Sequence, residues 1–490
     1  MLLLCLLVSV QAHAQMTLSG KIAHAGPGEA VLINVPFDNW YYKQNTTPVP
    51  LNAQGEFSIS LPVKKPQTIF LDFAGTRYHL YGEPGKSLAI RADARQFGRS
   101  LKFTGDLGPE NTFRSQTGLT FYTLHPHTWN DTTTAPSDLL AALRDRQAQA
   151  RDKLLKLKSN NQAFLKMTRA DIDYFISSKI FDLIFENKVW SVGHTPAYPQ
   201  QQWREALIAA YANLPLSRDD AVGSYHYQQT ITYYPRYLEW ENESQEAFAK
   251  TVATIMGKPF AEARQEIRAK GKAFWHYSVM RHALQGLALE SALTSLINNG
   301  IASGELAYLG EMYTDFINRF PASMYRPHLE RIMQPFWASQ RGSAGMEVRL
   351  DASSAQYKSL DEILAAHRGR VVYVDMWGSW CGPCREQFAH QKTLKERFRG
   401  KPVDFVYIAF ENSAKPEKTW QETILFYNLA GRHILGSEDL RKHFGELYKS
   451  RGALRFPSYL LIDKAGRIVN RQAAQPSSGE KLYRQIEEIL

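Results

Sequence analysis

Cysteine is scarce in this chain: its 490 residues include only three cysteines, Cys5, Cys381 and Cys384. A chain so poor in cysteine is not held together by a disulfide framework, as many small secreted domains are. It also lacks a second CxxC and the patterns HExxH and HxxxH, so no metal site of these types is indicated. His125 and His127 are close in sequence, but nothing in the sequence links them to the cysteines.

Long hydrophobic runs and long basic runs are also missing. No apolar stretch after the first residues reaches the roughly 20 residues that a transmembrane helix needs, so we expect no transmembrane segment in the mature chain. The net charge is +10, but Lys and Arg are scattered in short runs, which does not favour binding to nucleic acid. Hydrophobic residues make up 44% of the chain, which is enough for several folded domains.

The first residues, MLLLCLLVSVQAHAQ, are typical of a signal peptide. A short apolar run precedes the small-x-small sequence Ala12-His13-Ala14, which predicts cleavage before Gln15. Cys5 lies inside the apolar run and lacks small residues just before it, so we do not expect a lipoprotein anchor. We expect residues 1–14 to be removed and the mature protein to be exported.

Hydrophobic patterns divide the rest of this multidomain chain into three predicted domains. Short apolar runs between Gly, Pro and Asn turns predict an antiparallel β-sandwich over residues 15–112. Helical spacing predicts an all-α region over 113–344, with a helix starting at Ser137, a break near Gly271 and a further helix over 305–320. Near-continuous apolar strands predict an α/β domain over 345–490. Its order, β-α-β-α-β-β-α, is typical of a thioredoxin-like fold.

The two remaining cysteines form the motif Cys381-Gly382-Pro383-Cys384 between a predicted strand and a predicted helix. A disulfide that closes so short a loop adds little stability, because the stabilisation grows with loop length. At a helix start, backbone N–H groups and the helix dipole stabilise a thiolate. The motif therefore favours thiol-disulfide exchange, with Cys381 as nucleophile and Cys384 as resolving thiol. This redox-active disulfide needs no other cofactor.

Two further features fit a redox site. Asp375 lies near the end of the strand before the motif, where a buried carboxyl group would have a raised pKa and could carry a proton for Cys384. A cis peptide between Phe456 and Pro457 would place the Phe456 backbone beside the cysteines, where it could pair with a substrate strand. The alternatives are a strand-end surface carboxylate and an ordinary trans proline on an edge strand.

The sequence DMWGSWCGPC, residues 375–384, resembles the active-site segment of thioredoxins. With the signal peptide and the long segment before Pro457, the C-terminal domain is similar to the exported thioredoxin-like TlpA/ResA family of thiol-disulfide oxidoreductases. The residues that we expect to contact the substrate are Trp380, Gly382, Pro383, Phe456 and Pro457. The first domain, with the phrases GEPGKSLAI and FTGDLGPEN, resembles a β-domain of unknown function that often precedes such domains in Bacteroidetes.

The chain departs from these families at three positions. Gln387 stands where exported members often carry Glu, and Ala389 stands where a helix-kinking proline is common. The lysine that often partners the buried aspartate from the next strand is absent, and Tyr407 is the expected neighbour there. We therefore expect the acid–base chemistry to depend on Asp375 alone.

The function predicted from these observations is that of a periplasmic disulfide reductase acting on exported proteins. The Gly-Pro dipeptide resembles that of strongly reducing thioredoxins, with potentials of about −270 mV rather than about −120 mV. A reductase outside the cytoplasm needs an electron source, which implies a membrane thiol donor, and cytochrome c maturation is a plausible pathway by analogy. Two alternatives stay open: a disulfide oxidase or isomerase, and a partner-binding protein that uses the thioredoxin-like domain as a docking module.

Overall fold

A computed structural model describes most of the chain. The described residues are 15–38, 40–42, 45–119, 134–191, 195–341, 348–351, 356–412, 415–449 and 453–490. The predicted signal peptide with Cys5, and the histidines at 125 and 127, lie outside these ranges. The chain divides into two compact units, one of residues up to Glu266 with Phe274–Leu296, and one of Ile267–Ala273 with Ile297–Leu490.

Strands near the N-terminus form two four-stranded sheets. They are β1 (Met16–Ala23), β2 (Ala30–Asn34), β3 (Thr46–Pro50), β4 (Glu56–Leu61), β5 (Gln67–Phe73), β6 (Thr76–Gly82), β7 (Ser87–Asp93) and β8 (Lys102–Thr104). The strand orders are β4-β1-β7-β8 and β3-β2-β5-β6, and side chains of both sheets share one hydrophobic core. The predicted β-sandwich architecture is confirmed.

One strand pair departs from the predicted antiparallel arrangement. β1 and β7 are parallel, with Leu18 opposite Leu88. A hairpin makes its two strands antiparallel, but the chain between β1 and β7 forms five other strands and imposes no such direction. The expectation of a purely antiparallel sandwich was wrong for this pair.

Helices dominate the chain between β8 and the C-terminal domain, and a short first helix lies between β7 and β8. They are α1 (Phe97–Ser100), α2 (Gly108–Thr117), α3 (Pro136–Lys156), α4 (Gln162–Glu186), α5 (Gln200–Tyr211), α6 (Tyr225–Glu241), α7 (Gln245–Met256), α8 (Phe260–Lys270), α9 (Lys272–Ala283), α10 (Gly286–Ser303), α11 (Leu309–Arg319) and α12 (Arg326–Gln340). The predicted all-α region is confirmed. None of the helices in the described ranges combines the length and the apolar character that crossing a membrane requires.

The helix boundaries confirm some predictions and correct others. α3 begins at Pro136 rather than at Ser137, because the missing N–H of proline costs nothing in the first helical turn. The break at Gly271 is confirmed, and this glycine has a φ of 89°. A second, unpredicted break precedes Gly286, which also has a positive φ. The helix predicted from residue 305 begins only at Leu309.

The C-terminal domain is a mixed α/β fold. Its strands are β9 (Val348–Leu350), β10 (Val371–Trp377), β11 (Val403–Ala409), β12 (Gly431–Leu435), β13 (Ser458–Ile462) and β14 (Ile468–Asn470). Its helices are α13 (Leu360–Leu364), α14 (Gly382–Phe388), α15 (Gln391–Arg397), α16 (Pro416–Phe426), α17 (Glu438–Leu447) and α18 (Glu480–Glu487). The sheet order is β14-β13-β10-β11-β12-β9, with β13 and β14 antiparallel to their neighbours. The thioredoxin-like fold is confirmed.

The predicted order of elements in this domain was incomplete, because it omitted β9 and β12. β9 has only three residues, which is too short for a periodic pattern. β12 carries Arg432 and His433 among its five residues, so it does not read as an apolar strand. The His433 ring is nevertheless buried and stacks on Tyr407 at 4.7 Å between centroids.

β10 positions the functional site, because both of its faces are covered. Val372, Val374 and Met376 pack in one hydrophobic cluster, whereas Val371 and Tyr373 pack in another on the opposite face. A central strand buried on both faces reads as a continuous apolar run, as this one does. Its carboxyl end leads directly into the CxxC segment.

Candidate active site

The two cysteines of the C-terminal domain form a disulfide at the junction of β10 and α14, with their Cα atoms 5.3 Å apart. Cys381 caps the N-terminus of α14, and its Sγ accepts a hydrogen bond from the Cys384 backbone N–H at 3.2 Å. Pro383 lies in the first turn of this helix and is exposed, and Gly382 is half-buried. Cys381 is 4% exposed and Cys384 1%. Cys384 therefore has almost no access to solvent.

Asp375 is buried inside the sheet, which excludes an exposed carboxylate at this position. Its neighbours on the adjacent strands are Tyr407 and Tyr459. One carboxylate oxygen accepts a hydrogen bond from Gln391 Nε2 at 3.1 Å, and the other has no hydrogen-bond partner. Burial therefore raises the pKa of Asp375 to about 8, although the charge of Lys395 opposes the increase. The role of Asp375 in proton transfer stays a prediction.

The charge of a lysine acts on Asp375, although this lysine does not come from the next strand. That the acid–base chemistry depends on Asp375 alone stays a prediction. Tyr407 occupies the predicted position on the next strand, but Lys395 approaches from α15. The Lys395 ammonium lies 4.6 Å from the centroid of the Tyr407 ring and donates a hydrogen bond to the Ala430 carbonyl. Burial lowers the pKa of Lys395 to about 7, and the charge of Asp375 opposes the decrease. The charge of each group therefore offsets part of the effect of burial on the pKa of the other.

The tyrosine connects this buried pair to the cysteines. Tyr407 donates a hydrogen bond from its hydroxyl to Gln391 Oε1 at 2.7 Å, and Gln391 in turn donates to Asp375. The Tyr407 side chain also belongs to the hydrophobic cluster that contains Cys381 and Cys384. The carboxyl group, its hydrogen-bond chain and the disulfide thus share one side of the sheet.

The two departures on α14 have structural explanations. Gln387 is buried, and its Oε1 accepts a hydrogen bond from the Ser477 backbone N–H at 2.9 Å, so its amide takes part in packing rather than carrying a charge. α14 ends at Phe388 and α15 begins at Gln391, so the helix is interrupted around Ala389 although no proline is present.

A carboxylate that the sequence did not reveal holds the loop before the disulfide. Glu411 accepts hydrogen bonds from the Ser379 backbone N–H at 2.8 Å and from its hydroxyl at 2.5 Å. Arg385 donates to the Ser379 carbonyl. Burial raises the pKa of Glu411, while the Ser379 hydrogen bonds and the positive charge of Arg385 oppose the increase. Ser379 is thus fixed from both sides, two residues before Cys381.

An aromatic pair borders the disulfide. Trp380 is 43% exposed, its Nε1 donates to the Phe410 carbonyl at 2.8 Å, and its ring meets that of Phe456 edge-on at 5.3 Å. A Cβ atom at Gly378 would lie 2.5 Å from Trp380 Nε1, so only glycine allows this close approach. The Phe456–Pro457 peptide is cis, as predicted. The structure therefore brings Trp380 and Phe456 together beside Cys381, and their contact with substrate stays a prediction.

No group of three or more His, Cys, Asp or Glu side chains in the described part of the chain is arranged to hold a metal ion.

Known proteins resemble this domain. Residues 347–486 match the family model Redoxin. The C-terminal domain is redoxin-like. The match covers less than a third of the chain, and the predicted resemblance of the first domain stays a prediction.

Individual relatives match the same part of the chain. It is 24% identical over 128 residues to the thiol-disulfide oxidoreductase ResA of Bacillus thuringiensis subsp. konkukian, covering 25% of this chain and 63% of that protein. It is 23% identical over 128 residues to sporulation thiol-disulfide oxidoreductase A of Bacillus subtilis, covering 26% and 73%. The thioredoxin domain of a thiol-disulfide oxidoreductase from Bacteroides vulgatus, a solved structure, is 22% identical with a TM-score of 0.22, covering 26% and 82%. The chain spans slightly less than two thirds of the length of the ResA protein.

Three functional candidates were missed by the sequence analysis: Gln391, Lys395 and Glu411. Glu411 had a usable signal, because it follows β11, and the carboxyl ends of parallel neighbours such as β10 and β11 meet at one edge of a sheet. Gln391 and Lys395 are four residues apart on one helix and therefore share a face, but only the fold turns that face toward Asp375.

Proposed function

We propose that this chain is a thiol-disulfide oxidoreductase that reduces disulfides in exported proteins. The observation that carries the proposal is the combination of a disulfide at a helix start with a buried carboxyl group whose pKa is about 8. Cys384 is almost inaccessible to solvent, so its proton needs an internal acceptor. A carboxyl group that titrates near neutral pH is suited to that role.

The proposed reaction begins with the reduced dithiol. The Cys381 thiolate attacks one sulfur of the substrate disulfide, the substrate S–S bond breaks, and its other sulfur leaves as a thiolate that takes up a proton. Cys384 then loses its proton to the ionised form of Asp375 and attacks Cys381 Sγ. This step breaks the mixed disulfide, releases the second substrate thiol and forms the Cys381–Cys384 disulfide. Two electrons pass from the enzyme dithiol to the substrate.

Direction and location are part of the proposal. The predicted signal peptide supports a periplasmic site, and the Gly382-Pro383 dipeptide resembles that of reducing thioredoxins. Regeneration of the dithiol then requires an external thiol reductant, for which a membrane thiol carrier is the proposed donor. Reduction of haem-site cysteines during cytochrome c maturation is a proposed pathway by analogy with the family.

The first experiment is a titration of the Cys381/Cys384 pair against a thiol redox buffer. A potential near about −270 mV, typical of thioredoxin, is expected, whereas a value near about −120 mV would make the protein an oxidant and overturn the reductase assignment. A pair that never titrates would instead favour a docking module.

A matched pair of variants tests the roles of the two cysteines. Cys384→Ala retains the nucleophile and is expected to accumulate mixed disulfides with substrate proteins in cell extracts. Cys381→Ser removes the nucleophile and should accumulate none. Equal trapping by both variants would contradict the assigned order of attack.

A further inference from the structure

A cleft of about 510 Å³ opens beside the disulfide loop, within the second compact unit. One wall belongs to the thioredoxin-like domain and includes Ser379, Trp380 and Arg385. The opposite wall is formed by residues 270–273 and 303–308. These two segments lie outside residues 347–486, which match the redoxin family. This second wall therefore belongs to the helical part of the chain and not to the redoxin-like domain.

The second wall packs directly against α14, the helix that carries Cys384. Gly304 has a φ of 66°, and a Cβ atom there would lie 3.0 Å from Arg385 Cδ and 3.3 Å from the Tyr427 hydroxyl. Lys270 pairs with Glu311 at 3.5 Å and lies 5.3 Å from the centroid of the Tyr308 ring. The close approach of Gly304 to Arg385 fixes the wall relative to the disulfide loop, and the contacts of Lys270 hold the two segments of the wall together.

We propose that this cleft binds the stretch of polypeptide that flanks the substrate disulfide, and so selects which proteins the enzyme reduces. The inference rests on the proposed function and extends it to substrate choice. Ser379 and Trp380 line the cleft and directly precede Cys381, so a chain joined to Cys381 by a mixed disulfide lies at the mouth of the cleft.

The lining fits a polypeptide better than an anion or a purely apolar ligand. The charged residues of the lining are three cations, Lys270, Lys272 and Arg385, and two carboxylates, Glu305 and Glu422, so both signs are present with a small excess of positive charge. Ala307 and the half-exposed Trp380 both add apolar surface to the lining. A peptide chain presents backbone donors and acceptors together with apolar side chains, and the volume lies within the range of about 300–1,000 Å³ that is usual for ligand clefts.

The test compares two substrates and two matched variants. Ala307 lines the cleft, and Ala302 is an exposed alanine nearby in the chain that does not. In Ala307→Trp the indole fills the cleft, so the ratio of kcat/KM for a short disulfide-bonded peptide to that for a nitrobenzoate aryl disulfide should fall about tenfold. Ala302→Trp should leave this ratio unchanged.

The outcomes separate this inference from the proposed function. An unchanged ratio in a folded, active Ala307→Trp protein would overturn the cleft assignment and leave the oxidoreductase intact. Absence of turnover of both substrates by the unaltered protein would overturn the proposed function and this inference with it. Self-association of the unaltered chain that Ala307→Trp abolishes would assign the cleft to a second copy and overturn substrate binding.

A measurement that leaves the cleft unaltered complements the variants. Cys384→Ala is trapped as a mixed disulfide through Cys381, either with the peptide or with the aryl thiol, and amide hydrogen exchange is measured by mass spectrometry. We expect slower exchange of residues 303–308 in the peptide complex than in the aryl complex. Equal exchange in the two complexes would overturn the proposal.

Discussion

The replacement Asp375→Asn should stabilise the oxidised protein, and the gain should grow with pH. The folded-state pKa of Asp375 is raised from an ordinary 3.8 to about 8. At pH 7 the unfolded chain has released this proton while the folded chain still holds it, so stability falls as pH rises through this range. With about 1.4 kcal/mol per pH unit above the ordinary pKa, the carboxyl group costs the folded state about 4 kcal/mol at pH 7.

The pH dependence is a sharper measure than the absolute gain. Between pH 5 and pH 7 the advantage of Asp375→Asn should grow by about 3 kcal/mol, a factor of about 100 in the opening equilibrium. Hydrogen exchange of the β10 amides, Val371–Trp377, reports the opening of this sheet at each pH.

Asp404→Asn provides a control of opposite sign on the neighbouring strand. Burial opposes ionisation of Asp404, but hydrogen bonds from His367 Nδ1 at 2.6 Å and Arg370 Nε at 2.7 Å hold its pKa below the ordinary value. The Asp404 carboxylate therefore stabilises the folded state at neutral pH, and this stabilisation is lost as the pH falls. Asp404→Asn should accordingly lower the free energy of unfolding at pH 7. The reasoning would be refuted if the stability of the unaltered protein and that of Asp375→Asn had the same pH dependence. It would also be refuted if Asp375→Asn were less stable than the unaltered protein at pH 7.

Three other substitutions test groups whose pKa values are shifted by burial, two beside the disulfide and one in the helical region. Lys395→Met removes the charge that lowers the pKa of Asp375. The ionisation near pH 8 in the pH profile of kcat/KM should therefore move upward by about one pH unit. An unchanged profile would count against an electrostatic interaction between Lys395 and Asp375. Glu411→Gln should cost about 1–3 kcal/mol in calorimetric unfolding, because Ser379 loses a charged acceptor, and an unaltered transition would contradict that. Burial lowers the pKa of His226 to about 4, so the free energy of opening of α6 should fall as the pH falls from about 6.5 toward 4. Amide exchange corrected for the intrinsic rate at each pH measures this free energy, and His226→Gln should abolish its pH dependence.

Much of the fold was predictable because its signals are local. β10 and β11 are near-continuous apolar runs, each with a single aspartate, and the break at Gly271 follows from a residue that adopts positive φ easily. β12 escaped prediction because Arg432 and His433 interrupt its pattern, although His433 is fully buried beneath Tyr407. Its strand character depends on pairing with β11, which no local pattern reveals.

The residues of the candidate site also fall into two groups, those that the sequence predicts and those that only the fold reveals. Cys381, Cys384, Asp375 and the cis peptide before Pro457 were predictable, because their chemistry depends on order along the chain. Lys395 was not, because its distance from Asp375 is set by the packing of α15 across the sheet.

If the cleft beside the disulfide selects substrates as proposed, the redox chemistry and the choice of substrate depend on different parts of this chain. In the proposed reaction the CxxC segment supplies the dithiol, and the exposed face of Trp380 alone offers little means of discrimination between disulfides. Residues 303–308 add a second wall, and Gly304 brings that wall against Arg385. If selection resides there, substitutions in this segment will change which proteins are reduced, while the potential of the Cys381/Cys384 pair stays the same. A change in that potential on substitution of Ala307 would show that the wall acts on the disulfide itself.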